Sequence, residues 1–473
     1  MDLTDFMPAS APFPGPSQQP PPAKKAPTRL VVIILLVVAL LAAGVAYVFG
    51  LLPWGGSKQE REPIPILSTT PSPTESALPF TGWVKTLCSS AGGFGDVAVR
   101  PDGVIVAVGT INSSDYDPPD AEEYGPGIPR GVVAFYAPDG ELLDLIVAPG
   151  HKYTAVEVSP NGEVVVVGAT KYRETTTNNG SIAMKFAADG TQLWTVSDFD
   201  QWDLFTYGFT GVSIEESGNI TVIGLYAGDH IDDGNYFIAR ISENGTPGWF
   251  RSAGNLDRYS DVKTMPDNNI VVLGSSYENK ENRDQSGIVM AVSLNTEGEL
   301  LWYQAYTDGG SNPFYGDFTN AAITPDGILV VGYVDAPNPV GPDDETNAVI
   351  ALLTMSGTLE WWQSYGGNGR DAFYGITVLP SSRIVTVGMT YSSDGDFSSS
   401  NNVDHGPDGF VANMNQYGFI ESAQVYGGSS YDTLARVAST STGIVVVGLN
   451  SSSDGNLPPT CGGADALILH IEL

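Results

Sequence analysis

The sequence predicts an all-β fold, a seven-bladed β-propeller closed by a strand from its own N-terminal end and preceded by a single transmembrane helix. Three observations carry this reading. Seven valine- and isoleucine-rich runs each end in a glycine, at Gly109, Gly168, Gly224, Gly274, Gly332, Gly388 and Gly448, with separations of 59, 56, 50, 58, 56 and 60 residues. A period of that length with four short strand signals per unit belongs to a propeller. The last unit lacks a fourth strand, and a matching spare segment, Trp83 to Leu87, stands ahead of the first. One long uncharged apolar stretch precedes everything else.

Residues 1–29 are proline-rich, with Phe13-Pro14-Gly15-Pro16 and Gln19-Pro20-Pro21-Pro22, and show no apolar periodicity; they are expected to be a disordered cytoplasmic tail. Residues 30–52, Leu30 to Leu52, run 23 residues without a charge, long enough to cross a hydrocarbon core of ~30 Å as a helix. Lys24, Lys25 and Arg29 precede this stretch, whereas Lys58 and Arg61 beyond it are interleaved with Glu60 and Glu62. That bias places the N-terminus in the cytoplasm and the rest outside, at the cell membrane. A cleaved signal peptide is the competing reading, since Gly44-Val45-Ala46 resembles a cleavage site. Against it stand the long N-terminal region and the continuation of apolar residues to Leu52. Residues 53–79 carry six prolines among Ser and Thr, the composition of a semi-extended extracellular stalk. Residues 80–473 are the propeller.

The unit over residues 153–199 shows the pattern in full. Tyr153 to Val158 alternates, Ser159-Pro-Asn-Gly162 is a turn, and Val164 to Val167 is apolar on both faces, as in a sheet packed between two neighbours. After a polar loop come a third strand from Ser181, a second turn at Asp189-Gly190, and a fourth strand with Trp194. A tryptophan falls four residues after the turn glycine in four units, as Trp194, Trp249, Trp302 and Trp361; Asp144 and Ser422 stand there in two others. Donation of the Trp83–Leu87 strand to the last unit removes the two exposed edges of an open array. Cys88 and Cys461, the two cysteines of the chain, flank that seam. They are expected to form a disulfide in an oxidising compartment, stabilising by ~5 kcal/mol through loop closure.

Because successive strands are antiparallel, both tight turns of each unit fall on one face and both longer loops on the other. The donated strand enters at the tight-turn end, so the loop face is expected to look outward, where binding residues usually reside. Carboxylates gather in the long loops: Asp115, Asp117, Asp120, Glu122 and Glu123; Asp229, Asp232 and Asp233; Asp343, Asp344 and Glu345; Asp394, Asp396, Asp404 and Asp408; and Asp454 and Asp465. The chain has a net charge of −33, and setting aside its first 62 residues leaves 16 basic and 50 acidic side chains. Such a surface excludes nucleic acid as a partner and suits a protein, a cationic polymer or a carbohydrate at the loop face; a solvated rim without a ligand is the bland alternative. For Ca²⁺ the candidates are Asp394, Asp396, Asp229, Asp232 and Asp233, although neither Asp229 to Gly234 nor Ser393 to Asp396 completes a calcium-loop motif.

No catalytic residue is assigned. His151, His230, His405 and His470 are scattered over different units, and no nucleophile elbow, phosphate loop or H-E-x-x-H occurs. Asp371 and Asp432 each follow a Tyr-Gly-Gly, at Tyr365 and Tyr426, and read as repeated junction residues that accept backbone hydrogen bonds. The function expected is a membrane-anchored extracellular binding, adhesion or scaffold module. The alternative is an extracellular enzyme, a hydrolase or a quinoprotein-like protein, with its site at the central funnel.

The sixth unit carries a family resemblance. Val385 to Thr390, Ser392-Ser-Asp-Gly-Asp-Phe397, Asp408-Gly-Phe-Val411, Gly418, Tyr426-Gly-Gly428 and Asp432 resemble the SBBP-type β-propeller repeat of bacterial surface proteins. The resemblance spans about residues 83–473 and implies an extracytoplasmic surface propeller, with no active-site residue to carry over. Asp189 to Trp194 is loosely similar to the tryptophan-docked propellers of quinone-dependent dehydrogenases, from which the longer repeats and irregular tryptophans depart. A calcium site would raise the melting temperature of the protein in Ca²⁺ over that in chelator, which calorimetry measures; equal values remove the metal.

Overall fold

The computed structural model describes residues 81–473 except 114, 117–127, 171–179, 198, 200–205, 228–233, 253–257, 277–287, 308–314, 336–345 and 398–405. All of them fall in one compact unit, Pro73–Leu473. The expected tail, transmembrane helix and stalk lie outside the described residues. Among the described residues, no helix is long and apolar enough to cross a membrane.

Among the described residues, twenty-eight strands form seven four-stranded antiparallel sheets. Six sheets take four consecutive strands each; the first is Gly92–Val99, Ile105–Ile111, Arg130–Tyr136 and Leu142–Pro149. The seventh takes Asp432–Ser439, Gly443–Asn450 and Asp465–Glu472, and then Gly82–Leu87 from the start of the domain. That last pairing runs from Gly82 opposite Ile471 to Leu87 opposite Ala466. The first strand of every blade touches the first strands of both neighbours, including Gly92–Val99 against Asp432–Ser439, so the ring is shut. Cys88 and Cys461 are disulfide-bonded at the loop end of the seam, with Cα atoms 5.5 Å apart.

The core lies between blades, as the doubly apolar second strands require. Val106, Val108 and Val133 of the first blade pack with Tyr153, Val156, Val164 and Val166 of the second. Phe94, Ile105 and Val132 pack with Val445, Val447 and Ile468 across the seam.

The seven run-ending glycines have a single physical cause. Each stands opposite a large residue of the inner strand just before a β-bulge: Phe94, Tyr153, Phe209, Tyr259, Phe318, Phe373 and Leu434. There the two backbones approach so closely that a Cβ on any of the seven glycines would overlap a carbonyl oxygen of the inner strand. The bulge bends the inner strand and re-aims the next residues toward the channel. The repeat thus marks where each blade turns its side chains inward.

The tryptophans also obey a rule that strand propensity does not reveal. Trp83, Trp194, Trp249, Trp302 and Trp361 each lie against the outer-turn glycine of the next blade, Gly140, Gly245, Gly298, Gly357 and Gly418 respectively. Three of the indoles donate to a carbonyl of the same turn: Trp83 to Pro138 at 2.9 Å, Trp194 to Glu243 at 3.0 Å and Trp249 to Thr296 at 2.8 Å. Where Asp144 replaces tryptophan, the next turn glycine, Gly190, has nothing within 4 Å of where its Cβ would stand. Where Ser422 does, the next blade has no such turn, because its third and fourth strands, Asp465–Glu472 and Gly82–Leu87, come from opposite ends of the propeller. Trp83 further stacks on His470 at 5.7 Å, tying the donated strand to the last one. Trp249→Ala is expected to lower the unfolding free energy by about 2 kcal/mol and Asp144→Ala by less than about 0.5 kcal/mol, as measured by urea denaturation.

Candidate functional site

The re-aimed inner-strand residues line a central channel. On its tight-turn side a cavity of about 490 Å³ is bordered by Asp96, Glu157, Asp261, Lys263, Asn320 and Arg436. These groups join blade to blade. Asp96 accepts the Val156 N–H at 2.9 Å, and Asp261 accepts the Ala321 N–H at 2.8 Å and the Asn320 amide at 2.9 Å. Asn320 in turn accepts the Ile376 N–H at 3.1 Å, and Arg436 donates to the Tyr374 carbonyl at 2.6 Å. Lys263 pairs with Asp261 at 3.2 Å.

Protein surrounds these charges on all sides, although the channel leaves room for water beside them. Burial pushes the Glu157 carboxyl up to about 7; Lys263 and the Ile214 N–H oppose the shift, while Asp261 and Asp96 add to it. Asp96 is raised by burial against the pull of Arg436. Burial works against the Lys263 ammonium, but Asp261, Glu157 and Asp96 outweigh it and hold its value above the ordinary one. The hub is therefore a network of nearly compensating charge, costly to leave half-paired.

The loop-side mouth is different. A cavity of about 1000 Å³ opens there, bordered by Arg258, Arg370 and Arg436 and by Tyr236, Tyr259, Tyr315, Tyr333 and Tyr374. Arg258 Nε pairs with Asp317 at 3.2 Å; the arginine side chain is 48% exposed and the carboxylate 2%. Asp317 Oδ2 also accepts the Ser260 hydroxyl at 2.8 Å, while its buried Oδ1 has no hydrogen-bond partner among the described residues. Burial raises the Asp317 carboxyl to about 6, against Arg258 and Ser260. Tyr374 is raised by burial and sits in the field of Tyr431, Tyr333 and Tyr391.

The residues singled out from the sequence lie elsewhere. Asp371 is fully buried and accepts the Gly367 N–H at 2.9 Å and the Ser392 hydroxyl at 2.7 Å; burial raises it to about 6. Asp432 repeats this with the Gly428 N–H at 3.0 Å and the Ser452 hydroxyl at 2.6 Å. Asp465 is a third member, accepting the Ser89 and Cys461 N–H groups at 2.8 Å each. Asp394 accepts the Asn368 N–H at 2.8 Å, Asp396 the Gly366 N–H at 3.0 Å, and Asp454 the Ser429 N–H at 2.8 Å. These carboxylates brace junction loops. Asp229, Asp232 and Asp233 lie outside the described residues, as do His230, His405, Asp117, Asp120, Glu122, Glu123, Asp343, Asp344, Glu345 and Asp404. Among the described residues, the one cluster of three His, Cys, Asp or Glu groups with metal-like spacing is Cys88, Cys461 and Asp465, whose sulfurs are bonded to each other. No described histidine borders the mouth; His470 is buried, its value lowered by that burial, and contacts Thr440 at 3.1 Å.

The mouth arginines and tyrosines escaped sequence reasoning, which followed the excess of acid. A signal existed. Counting from the large residue opposite each run-ending glycine puts Arg258 and Asp317 one position before it, Ser260, Thr319 and Tyr374 one after, and Arg436 two after. Alignment on that residue would have gathered them.

No protein-family model matches the chain, and no curated protein sequence does. Among solved structures, the Dos1 propeller is similar with a TM-score of 0.44 at 12% identity, covering 82% of this chain and 94% of that one. The β-propeller domain of the Trilobed protease from Pyrococcus furiosus gives 0.43 at 7% identity, over 81% and 94%. The WD40 domain of Neurospora crassa Pan2 gives 0.41 at 8% identity, over 80% and 91%. These are likenesses of fold only, and the SBBP-type repeat stays a resemblance.

Glu157 gives the hub a pH signature. Its folded value, about 7, lies above the ordinary 4.5, so its contribution to stability is complete below about pH 4.5 and lost as the pH rises through 7. Glu157→Gln removes that loss. The melting temperature of the variant relative to wild type is expected to rise between pH 5 and pH 8, as followed by calorimetry.

Proposed function

We propose that this chain is a single-pass membrane protein whose propeller stands outside the cytoplasm and serves as a binding module, with its ligand held at the loop-side mouth of the channel. The observation that carries the reading is the mouth cavity itself. It is a concave site of about 1000 Å³, the size and mixed lining of a ligand pocket. It stands on the ends of inner strands, and rigid elements hold a site more closely than loops do. The external location rests on the apolar stretch over 30–52 with its flanking charges, on the cysteine pairing, and on the resemblance to SBBP-type surface proteins.

Hydrolysis at the same mouth is the second reading. Asp317 favours it, as a buried carboxyl raised to about 6 with one oxygen unpartnered among the described residues, which suits a general acid. Product release that Asp317→Asn abolishes would select it.

Two measurements test the proposal. On intact cells, an amine reagent that does not cross membranes should label the exposed Lys85 and Lys152, and reach Lys24 and Lys25 only after lysis; labelling of all four only after lysis overturns the external placement. Against a panel of envelope polysaccharides, oligosaccharides and peptides, Arg370→Gln should weaken retention of the bound member about tenfold, and Glu299→Gln on the tight-turn side should leave it unchanged. Equal retention by both variants overturns the mouth as the site.

A further inference from the structure

We infer that the mouth cavity recognises a short oligosaccharide bearing a carboxylate, such as one containing a uronic acid unit, with Arg258 and Arg370 taking the carboxylate and the tyrosines lining the sugar rings. The inference rests on the binding reading above and deepens it. In a chain with 21 basic residues and 54 acidic ones, three arginines border one cavity. Arg258 is preorganised: Asp317 grips its Nε, and Ser260 holds Asp317, while almost half of the arginine side chain meets solvent. A fixed, solvent-facing guanidinium loses little freedom on meeting a planar carboxylate and offers it paired donors.

The tyrosines specify the rest of the ligand. Tyr315, on the cavity lining, is 39% exposed and offers its ring to a ligand. Tyr236, Tyr259, Tyr333 and Tyr374 stand with Tyr315 on the same lining. Flat rings with polar tips suit ligands that present C–H faces and hydroxyl edges together. The hydroxyls of Ser260, Thr210, Thr319 and Thr346 on the same lining donate to protein acceptors and keep oxygen lone pairs that can accept from sugar hydroxyls.

Other ligand classes fit less well. A hydrocarbon would leave the arginines and hydroxyls unmatched, and an inorganic anion would use neither the tyrosines nor the volume. A nucleic acid or other dense polyanion meets the repulsion of the whole surface. A ligand with one or two carboxylates meets less of it, because at physiological salt charges more than about 8 Å away are screened and the lining itself carries three arginines against Asp317 and Asp335.

The test uses the full-length protein in mild detergent and titration calorimetry with three probes. These are cellotriose, the same trisaccharide with its terminal glucose oxidised to glucuronate, and a tripeptide of Asp and Glu. The acidic trisaccharide is expected to bind at least tenfold more tightly than cellotriose. Arg258→Gln and Arg370→Gln should each bring it down to the level of cellotriose, while Tyr315→Ala weakens both sugars by a similar factor. Melting temperatures within a few degrees of wild type establish that the variants are folded. Equal affinity for the two sugars, or a preference untouched by both arginine variants, overturns the inference. Arginine-dependent binding of the tripeptide without either sugar overturns the ligand class but leaves the mouth as a binding site. Absence of all three from wild type overturns the ligand class, and the panel above then decides the mouth.

Discussion

A ring of sheets is stable only if its last interface is as good as the others, and here that interface depends on six residues from the far end of the domain. Gly82–Leu87 completes the seventh sheet by pairing with Asp465–Glu472. Without it the third strand of that sheet would present an open edge, and Trp83 would no longer span from His470 to the turn at Gly140. The same exchange brings Cys88 to Cys461 across a sequence separation of 373 residues. A link over so long a loop removes much of the freedom of the unfolded chain. Closure is thus held by backbone pairing, by an indole that belongs to two blades, and by a covalent bond at the opposite end of the strand.

Once the ring is shut, the contact between each glycine and its inner strand determines what the channel contains. Close approach at the glycine forces the bulge, and the bulge presents the next two residues to the axis. The repeat therefore fixes positions and leaves their chemistry open. At those positions the chain has placed Asp96, Asp261, Asn320 and Arg436, which join adjacent blades at the hub. A little nearer the loops it has placed Arg258, Ser260, Asp317 and Tyr374, which border the open mouth. One set spends its hydrogen bonds on neighbouring backbones. The other keeps the half-exposed guanidinium of Arg258, and that difference separates hub from site.

The acidic composition misdirected the search for a site for a physical reason. Carboxylates in turns and junctions are good acceptors for backbone N–H groups, and Asp371, Asp394, Asp396, Asp432, Asp454 and Asp465 are used in that way. Their abundance in the long loops reflects the need to satisfy irregular backbone as much as any ligand. The tryptophans show the converse. Their pattern was visible, but its meaning lay in the next blade, where a turn glycine leaves room for an indole.

What the sequence determined by itself is the architecture. Periodic glycines, strand-and-turn alternation, a missing last strand and its spare copy gave seven blades, the closure and the cysteine pair, because those features arise from backbone geometry repeated along the chain. What the tertiary structure decided is which side chains meet. Arg258, Asp317, Tyr374 and Arg436 are separated by 59, 57 and 62 positions in the sequence and share one cavity because the ring bends successive inner strands around a common axis. Local pattern records the bend; only the closed ring brings its results together.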